Sequence, residues 1–264
     1  MCWSFTLTGS SPLVGETITL RIIQISDCHV SADPDALYRG QNADANFQKI
    51  IHLAGLWNPA LVLLTGDVSE DGSQESYERT SALLAQTGVP VLALPGNHDN
   101  VEVMSRYFQL GPWHGPYVME VENWQLVLLD STEPDRVSGC FSASYLERIQ
   151  TSLHDQGRGH TLVALHHQPV PVGAPWIDRY MLESPARFLE VIDQSPRVRC
   201  ISWGHVHHDF KVQRKGVTLL GAPSTVANSI PGAQRFTLDP VGPACRWLKL
   251  SARGEVNTGL LNLY

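Results

Sequence analysis

Asn97, His98 and Asp99 stand in a row within "LPGNHDN" (94–100), where the apolar run Leu92-Ala93-Leu94 stops. A turn has use for Pro95, Gly96 and an Asn, but not for an imidazole and a carboxylate as well. The same association recurs along the chain. "SDCH" closes an apolar run with Asp27 and His29, "TGD" closes another with Asp67, "LHH" brings His166 and His167, and "WGHVHH" brings His205, His207 and His208. Imidazole and carboxylate at this density suit Zn, Mn or Fe, and the thiolate set of a structural zinc site is missing. There are more ligands than one ion needs. Asp67, with two carboxylate oxygens, can bridge two ions at the ~3.5–4 Å typical of paired-metal hydrolytic sites. In an extended chain, residues i and i+2 point to one side. Asp27 and His29 are therefore expected to grip one ion with Cys28 facing away, and His205 and His207 to do so with Val206 turned off. The same period turns His167 and His208 from the metals, and His167 is expected to support a ligand from behind. His52, His114, His154 and His160 have no partner motif and read as structural. Trp57, Trp124 and Trp247 read as core, whereas Trp176, in the Pro-rich "QPVPVGAPWIDRY", is the pocket candidate.

These groups need a scaffold that brings strand ends together. "ITLRIIQIS", "PALVLLTGD", "VPVLALPGN", "HTLVALHH" and "VRCISWGHVHH" read as strands. "NFQKIIHLAGLW", "SQESYERTSALLAQTG", "SASYLERIQTSLHDQG" (with Ser142 or Ser144 as N-cap) and "ARFLEVIDQS" read as helices. "YVMEVENWQLVLLD" reads as a hairpin turning at Glu122-Asn123. This alternation predicts an α/β fold with largely parallel strands, whose ligands bind beyond the carboxyl ends of the strands. From about residue 209, "FKVQRKGVTLLG" and "ACRWLKLSARGEVNTGLL" read as hairpins with Lys-Gly and Arg-Gly turns, and predict a second, more antiparallel sheet.

Bulk properties narrow the function classes. At 264 residues, 43% hydrophobic and 17% charged, the chain can bury a real core. A net charge of −7 argues against a nucleic-acid binder that works through a basic face. Cys2, Cys28, Cys140, Cys200 and Cys245 are scattered and odd in number, so reduced thiols in the cytoplasm are expected. The first twenty residues do not read as a signal peptide, and no run is long enough to predict a membrane span.

The series D-x-H, G-D, G-N-H-D, H, G-H-x-H, over about residues 20–210, resembles the calcineurin-like metallophosphoesterases. "LRIIQISDCH", "LHHQPVPVGAPWID" and "GAPST" look most like that family's cyclic-nucleotide phosphodiesterase branch; Gln168 departs from it, where many relatives have a proline or a third histidine. The resemblance implies a four-layer αββα sandwich of two mixed β-sheets flanked by helices. With no repeat, low-complexity run or linker, a single domain over 1–264 is expected, its C-terminal hairpins completing the second sheet. The resemblance also implies two transition-metal ions, Fe and Mn foremost, with Zn or Co also suitable. Asp27, His29, Asp67 and His207 would hold the first, and Asp67, Asn97, His166 and His205 the second. His98 is not a ligand in the family but faces the substrate phosphate, which His29, Asp67, Asn97 and His207 would also line. Asp99 would orient His98 from behind. The implied reaction is hydrolysis of 3′,5′-cyclic AMP to 5′-AMP. A water shared by two cations has its pKa lowered from 15.7 to around 7, and the resulting hydroxide would attack phosphorus in line. His98 would stabilise charge or protonate the leaving ribose oxygen. None of the motifs supplies an Arg clamp, which suits a singly charged diester. Other diesterases of the fold, acting on 2′,3′-cyclic nucleotides or glycerophosphodiesters, stay open as alternatives. A non-catalytic scaffold should lack ligands or His98, and none is lacking here. The expected partner is a small cyclic nucleotide, without nucleic acid or membrane, and the chain is expected to be a monomer or homodimer.

Overall fold

Unbroken Val, Ile and Leu runs form strands buried on both faces. The computed structural model describes residues 19–111, 115–154 and 159–263. The N-terminal stretch, His114 and the last residues of the helix expected over 142–157 lie outside them. The order is β1 (Thr19–Ile25), β2 (Leu37–Tyr38), β3 (Gln41–Asn42), α1 (Ala43–Leu56), β4 (Leu61–Thr65), α2 (Gln74–Ala85), β5 (Val91–Leu94) and α3 (Val101–Met104). There follow β6 (Tyr117–Val121), β7 (Trp124–Leu129), α4 (Ala143–His154), β8 (His160–Leu165), α5 (Pro175–Asp178), α6 (Pro185–Asp193) and β9 (Val198–Trp203). The chain closes with β10 (Phe210–Arg214), β11 (Val217–Gly221), β12 (Ala244–Ser251) and β13 (Val256–Asn262). Helix starts have side-chain acceptors: Asn42 takes Ala45 N–H, Ser73 takes Ser76 N–H, and Ser142, of the two serines considered, takes Tyr145 N–H. The β2–β3 hairpin was not foreseen; its Arg39-Gly40 turn has φ of 51° and 80°, the type I′ pattern.

The strands form two mixed sheets, β13-β12-β1-β4-β5 and β10-β11-β9-β8-β7-β6. The parallel centres are β1-β4-β5 and β7-β8-β9-β11. Strand alternation sorts side chains into layers. Ile23, Ile25, Val62 and Leu64 join Phe47, Ile50 and Tyr77 of α1 and α2. Ile22, Leu61, Leu63 and Leu92 join Leu126, Leu128, Leu162 and Cys200 of the other sheet. Val127, Val163, Leu165 and Ile201 join Ile149, Leu153, Phe188 and Ile192 of α4 and α6. The result is helix, sheet, sheet, helix, as expected. The C-terminal hairpins depart from expectation. They do not complete one second sheet: β10-β11 edges the six-stranded sheet, while β12-β13 returns antiparallel to β1 and edges the five-stranded one. A hairpin pattern specifies its own pairing but not the sheet it joins.

Two buried polar links tie the sheets together below the strand ends. Gln24 of β1 donates to Thr65 Oγ1 and to Trp203 O, both at 3.1 Å, and accepts from the Ser202 hydroxyl at 2.5 Å. Arg246 of β12 donates to Gly221 O at 2.7 Å and pairs with Asp209, the residue after His208. Both links run from the five-stranded sheet to the segment carrying His205 and His207.

Candidate metal centre

The candidate ligands lie just past the ends of β1, β4, β5, β8 and β9. The chain there is not extended, as the i, i+2 reasoning supposed. Asp27, His29, Asp67, His205 and His207 have φ of 53°, 46°, 49°, 68° and 51°. Left-handed residues alternate with ordinary ones and the chain curls: Asp27 and His29 still meet in one group with His207, whereas His205 turns to His166, so His205 and His207 do not share one group as their spacing suggests. Cys28 is buried in the α1/α2 core and Val206 in the α4/α6 core. Such backbone costs on the order of 1–3 kcal/mol per residue and clusters where structure is tied to function. The loops also approach closely. A Cβ on Gly204 would lie 2.0 Å from Ser26 Oγ and 2.7 Å from Thr65 O.

The imidazoles are oriented from outside. His29 Nδ1 lies 2.7 Å from Glu70 Oε2, His166 Nδ1 2.8 Å from Thr65 O, and His207 Nδ1 2.9 Å from Ala227 O. Carboxylate and carbonyl oxygens only accept, so each Nδ1 is the donor and each Nε2 turns inward. His29 Nε2 and His207 Nε2 are 3.2 Å apart. Two lone pairs facing each other are reconciled by a cation between them, and 3.2 Å suits two nitrogens each ~2.0–2.1 Å from one ion. His205 Nδ1 lies 3.2 Å from His166 Nε2. His205 Nε2 and Asn97 Oδ1 are buried without a partner.

Between the imidazoles sit two buried carboxylates. Asp67 Oδ2 is 3.4 Å from His166 Nε2 and 3.9 Å from His29 Nε2, while Oδ1 accepts from His98 N–H at 3.0 Å. Asp27 Oδ1 is 3.3 Å from His207 Nε2, and both Asp27 oxygens accept from His205 N–H at 3.0 Å. Burial opposes ionisation of each, yet the neighbouring imidazoles hold both carboxyls below the ordinary Asp range. No Lys or Arg among the described residues reaches either. Buried negative charge without a cationic side chain fits a site for metal ions. Burial alone would lower His166, but the Asp67 charge and hydrogen bond push it up to about 9.

The groups Asp27/His29/His207 and Asp27/Asp67/His166 each gather ligand atoms within 4.8 Å, and Asp67 lies between the His29 and His166 pairs. Two further groups meet the same distance test but fit a metal less well. In His29/Glu70/His98, both Nδ1 atoms address one carboxylate oxygen, at 2.7 and 3.2 Å. In His166/His167/His205, His167 has both nitrogens engaged: Nε2–H donates to Val137 O at 3.0 Å, so Nδ1 accepts from the Ser131 hydroxyl at 2.8 Å. Burial and the neighbouring His166 keep His167 neutral, down to about 3. Its ring packs 4.8 Å from those of both His166 and His205.

The group behind His98 is Glu70, which sequence reasoning missed. Burial disfavours a charged His98, but the Glu70 hydrogen bond and the charges of Asp67 and Glu70 outweigh it and push His98 up to about 9. Glu70 itself, despite burial, is held down to about 2 by His29 and His98. Asp99, expected to orient His98, does something else. Its carboxylate accepts from Val68, Ser69 and Gly96 N–H and from the Tyr77 hydroxyl, and so staples the Asp67 loop to the Asn97 loop. Burial and the Asp67 charge push Asp99 up to about 6. The Gln168 amide donates to Ile177 O and anchors the loop bearing Trp176.

The arrangement can hold two cations around Asp67, with His98 beside them. The sequence profile of the calcineurin-like phosphoesterases matches residues 20–209. A 3′,5′-cyclic adenosine monophosphate phosphodiesterase of Pseudomonas aeruginosa is 36% identical, over 90% of this chain and 88% of its own. A 3′,5′-cyclic-nucleotide phosphodiesterase of Nostoc is 34% identical over 93% of both chains, and the Escherichia coli K12 cyclic AMP phosphodiesterase 33% over 94% and 90%. Among solved structures, a dimetal phosphatase from Danio rerio covers 93% of this chain and 99% of its own, with a TM-score of 0.66 at 15% identity. A purple acid phosphatase from yellow lupin covers 96% and 55%, with a TM-score of 0.59 at 15% identity. At those identities the two structures speak for the fold alone. Motif series, strand-end geometry and sequence profile agree: the chain belongs to the calcineurin-like phosphoesterase family.

Proposed function

We propose that this protein is a dinuclear-metal phosphodiesterase that hydrolyses 3′,5′-cyclic AMP to 5′-AMP. The observation that carries the reading is the pair of inward nitrogens, His29 Nε2 and His207 Nε2, 3.2 Å apart beside the buried Asp27 and Asp67 carboxylates. Asp27, His29, Asp67 and His207 would hold one ion; Asp67, Asn97, His166 and His205 would hold the other. The N/O donor set without thiolate favours Fe and Mn, and accommodates Zn or Co. When bound, such ions supply Lewis acidity and an activated water. Relatives named as cyclic AMP phosphodiesterases match nearly the full chain, which points to the substrate.

The chain's own residues do the rest. Glu70 holds His98 by its Nδ1–H, leaving Nε2 for the phosphate. With its pKa raised, His98 holds a proton at neutral pH; bound cations would draw that value down towards the working range. It can donate a hydrogen bond to the phosphoryl oxygen and pass its proton to the departing 3′-oxygen. Asp99 keeps the Asp67 and Asn97 loops in register. The contacts among ligand loops of both sheets fit a single domain. Cys28, Cys140, Cys200 and Cys245 are free thiols, which fits the cytoplasm, and no described helix is long and apolar enough to cross a membrane.

Turnover of 3′,5′-cyclic AMP, 3′,5′-cyclic GMP, 2′,3′-cyclic AMP and a glycerophosphodiester, side by side with metal analysis of the same sample, tests the reading. The expected result is highest kcat/KM on 3′,5′-cyclic AMP, with 5′-AMP as product. Preference for a 2′,3′-cyclic nucleotide or a glycerophosphodiester would replace the substrate, and inactivity on every diester with both ions bound would remove the enzyme.

A further inference from the structure

Three aromatic rings and one cation outside the metal motifs converge on the rim of the centre. Tyr38 stacks flat on His29, with centroids 3.9 Å apart and planes 5° apart. Trp176 and Phe236 each meet His207 edge-on at 6.2 Å and meet each other at 5.4 Å. The Arg39 guanidinium lies 4.2 Å over Phe236 and 5.5 Å over Tyr38. The rings come from three segments: the β2–β3 hairpin, α5 and the loop after Ser229. All three are half-buried, and Arg39 is exposed with no carboxylate partner among the described residues.

Each segment is held in place. The hairpin closes on the Arg39-Gly40 turn. The α5 loop is braced by Gln168 and by the Asp178 carboxylate, which accepts from Val172 and Gly173 N–H at 2.8 and 3.0 Å. The Phe236 loop is closed by Ile230 N–H donating to Thr237 O at 2.8 Å, and by the Ser229–Leu238 bridge. Metal binding needs none of these rings, nor does attack on phosphorus. Half-buried aromatic rings held beside the metal centre, with a guanidinium over two of them, are suited to a flat π-system bearing ring nitrogens.

Resting on the phosphodiesterase reading, we propose that Tyr38, Trp176, Phe236 and Arg39 form the nucleobase subsite, and that it gives this protein its preference for nucleotides over base-free diesters. Because the Trp176 and Phe236 rings stand at 82° to each other, the base stacks on Trp176 and meets Phe236 edge-on, with Arg39, which lies over Phe236, at its side. Arg39 is then the cation that the metal motifs lack, and it serves the base, not the phosphate.

The test compares two ligands that differ only in the base. Calorimetric titration of the Mn-loaded protein with 5′-AMP and with ribose 5-phosphate should give a preference for 5′-AMP of about 10-fold or more, within the range expected of base–aromatic stacking. Phe236→Ala and Trp176→Ala should each reduce that preference about 5-fold or more, with ribose 5-phosphate affinity and metal content unchanged, and Phe236→Tyr should restore it. Arg39→Ala, on an exposed turn, covers the case in which a ring variant misfolds, and should reduce the preference in the same direction. Equal affinity of the native protein for the two ligands, or a preference untouched by these variants, would overturn the subsite. A wild-type protein that selects 5′-AMP but turns over no cyclic AMP would keep the subsite and reject the proposed activity.

Discussion

Gly96→Ala puts the close approach of the metal-bearing loops to a direct test. A Cβ at Gly96 would sit 2.2 Å from Asp67 Oδ1, 2.4 Å from Asp67 N and 2.8 Å from Asp67 Cγ. Non-bonded contacts to carbon settle near 3.5 Å, so the Asn97 loop and the Asp67 loop must separate by about 1 Å. The backbone nitrogen cannot rotate away as a long side chain would. Gly96 is not in the left-handed range of φ, so alanine suffers no dihedral penalty and the whole effect is steric. Overpacking of this kind costs ~1–3 kcal/mol, a Tm loss of a few degrees. The larger effect falls on chemistry, because Asp67 and Asn97 both belong to the proposed metal set. A ~1 Å misplacement costs on the order of 10²-fold, and that loss is expected in kcat/KM for cyclic AMP, with reduced metal content. The same substitution at Gly55, an exposed α1 position with no atom within 4 Å, should leave activity intact and gain up to about 1 kcal/mol. Full metal occupancy and native turnover in Gly96→Ala would show that the loops have slack, and would refute the close-packed bridge.

Other residues carry independent expectations. Asp67→Ala should loosen both ions and bring turnover to background, whereas Asp27→Ala should deplete chiefly one; two tight ions in Asp67→Ala, by elemental analysis, would dismiss the bridge. In chelator-treated protein, NMR titration should place His98 near 9, well above an ordinary imidazole. Glu70→Gln should lower that value, because the raising carboxylate is gone while burial still opposes charge, and should cost ~10–100-fold in activity or metal affinity; an unmoved His98 titration would exclude Glu70 as its partner. Cys28→Ser should keep both ions, since the Cys28 thiol is buried in the α1/α2 core and pushed up by that burial; loss of metal would make Cys28 a ligand.

The strand ends were legible because an apolar run that stops at Asp, Asn or His is visible without any fold, and the strand-helix alternation placed those ends together. What failed was local geometry. The i, i+2 spacing of Asp27/His29 and His205/His207 points to convergence; the first pair achieves it through left-handed residues that no periodicity reveals, and the second divides between His29 and His166. The family resemblance implies Asp99 behind His98, yet the Asp99 carboxylate reaches across to another loop. Glu70, in the polar run "SED", belongs to none of the motifs; its three-residue distance from Asp67 is the available signal. The C-terminal hairpins were read correctly as hairpins, but their allocation to different sheets depends on edges formed elsewhere in the chain. Tyr38 and Phe236 gave no signal at all, because segments almost 200 residues apart meet only in the folded protein.

If the proposed function holds, two ions around Asp67 act together on a cyclic phosphodiester. Stepwise addition of Mn to chelator-stripped protein, with cyclic AMP turnover measured at each ratio, tests it most directly. Little 5′-AMP is expected up to one ion per chain, then a rise to a plateau at two, and loss of activity on renewed chelation. Full activity at one ion per chain, or undiminished turnover in the stripped protein, would contradict it.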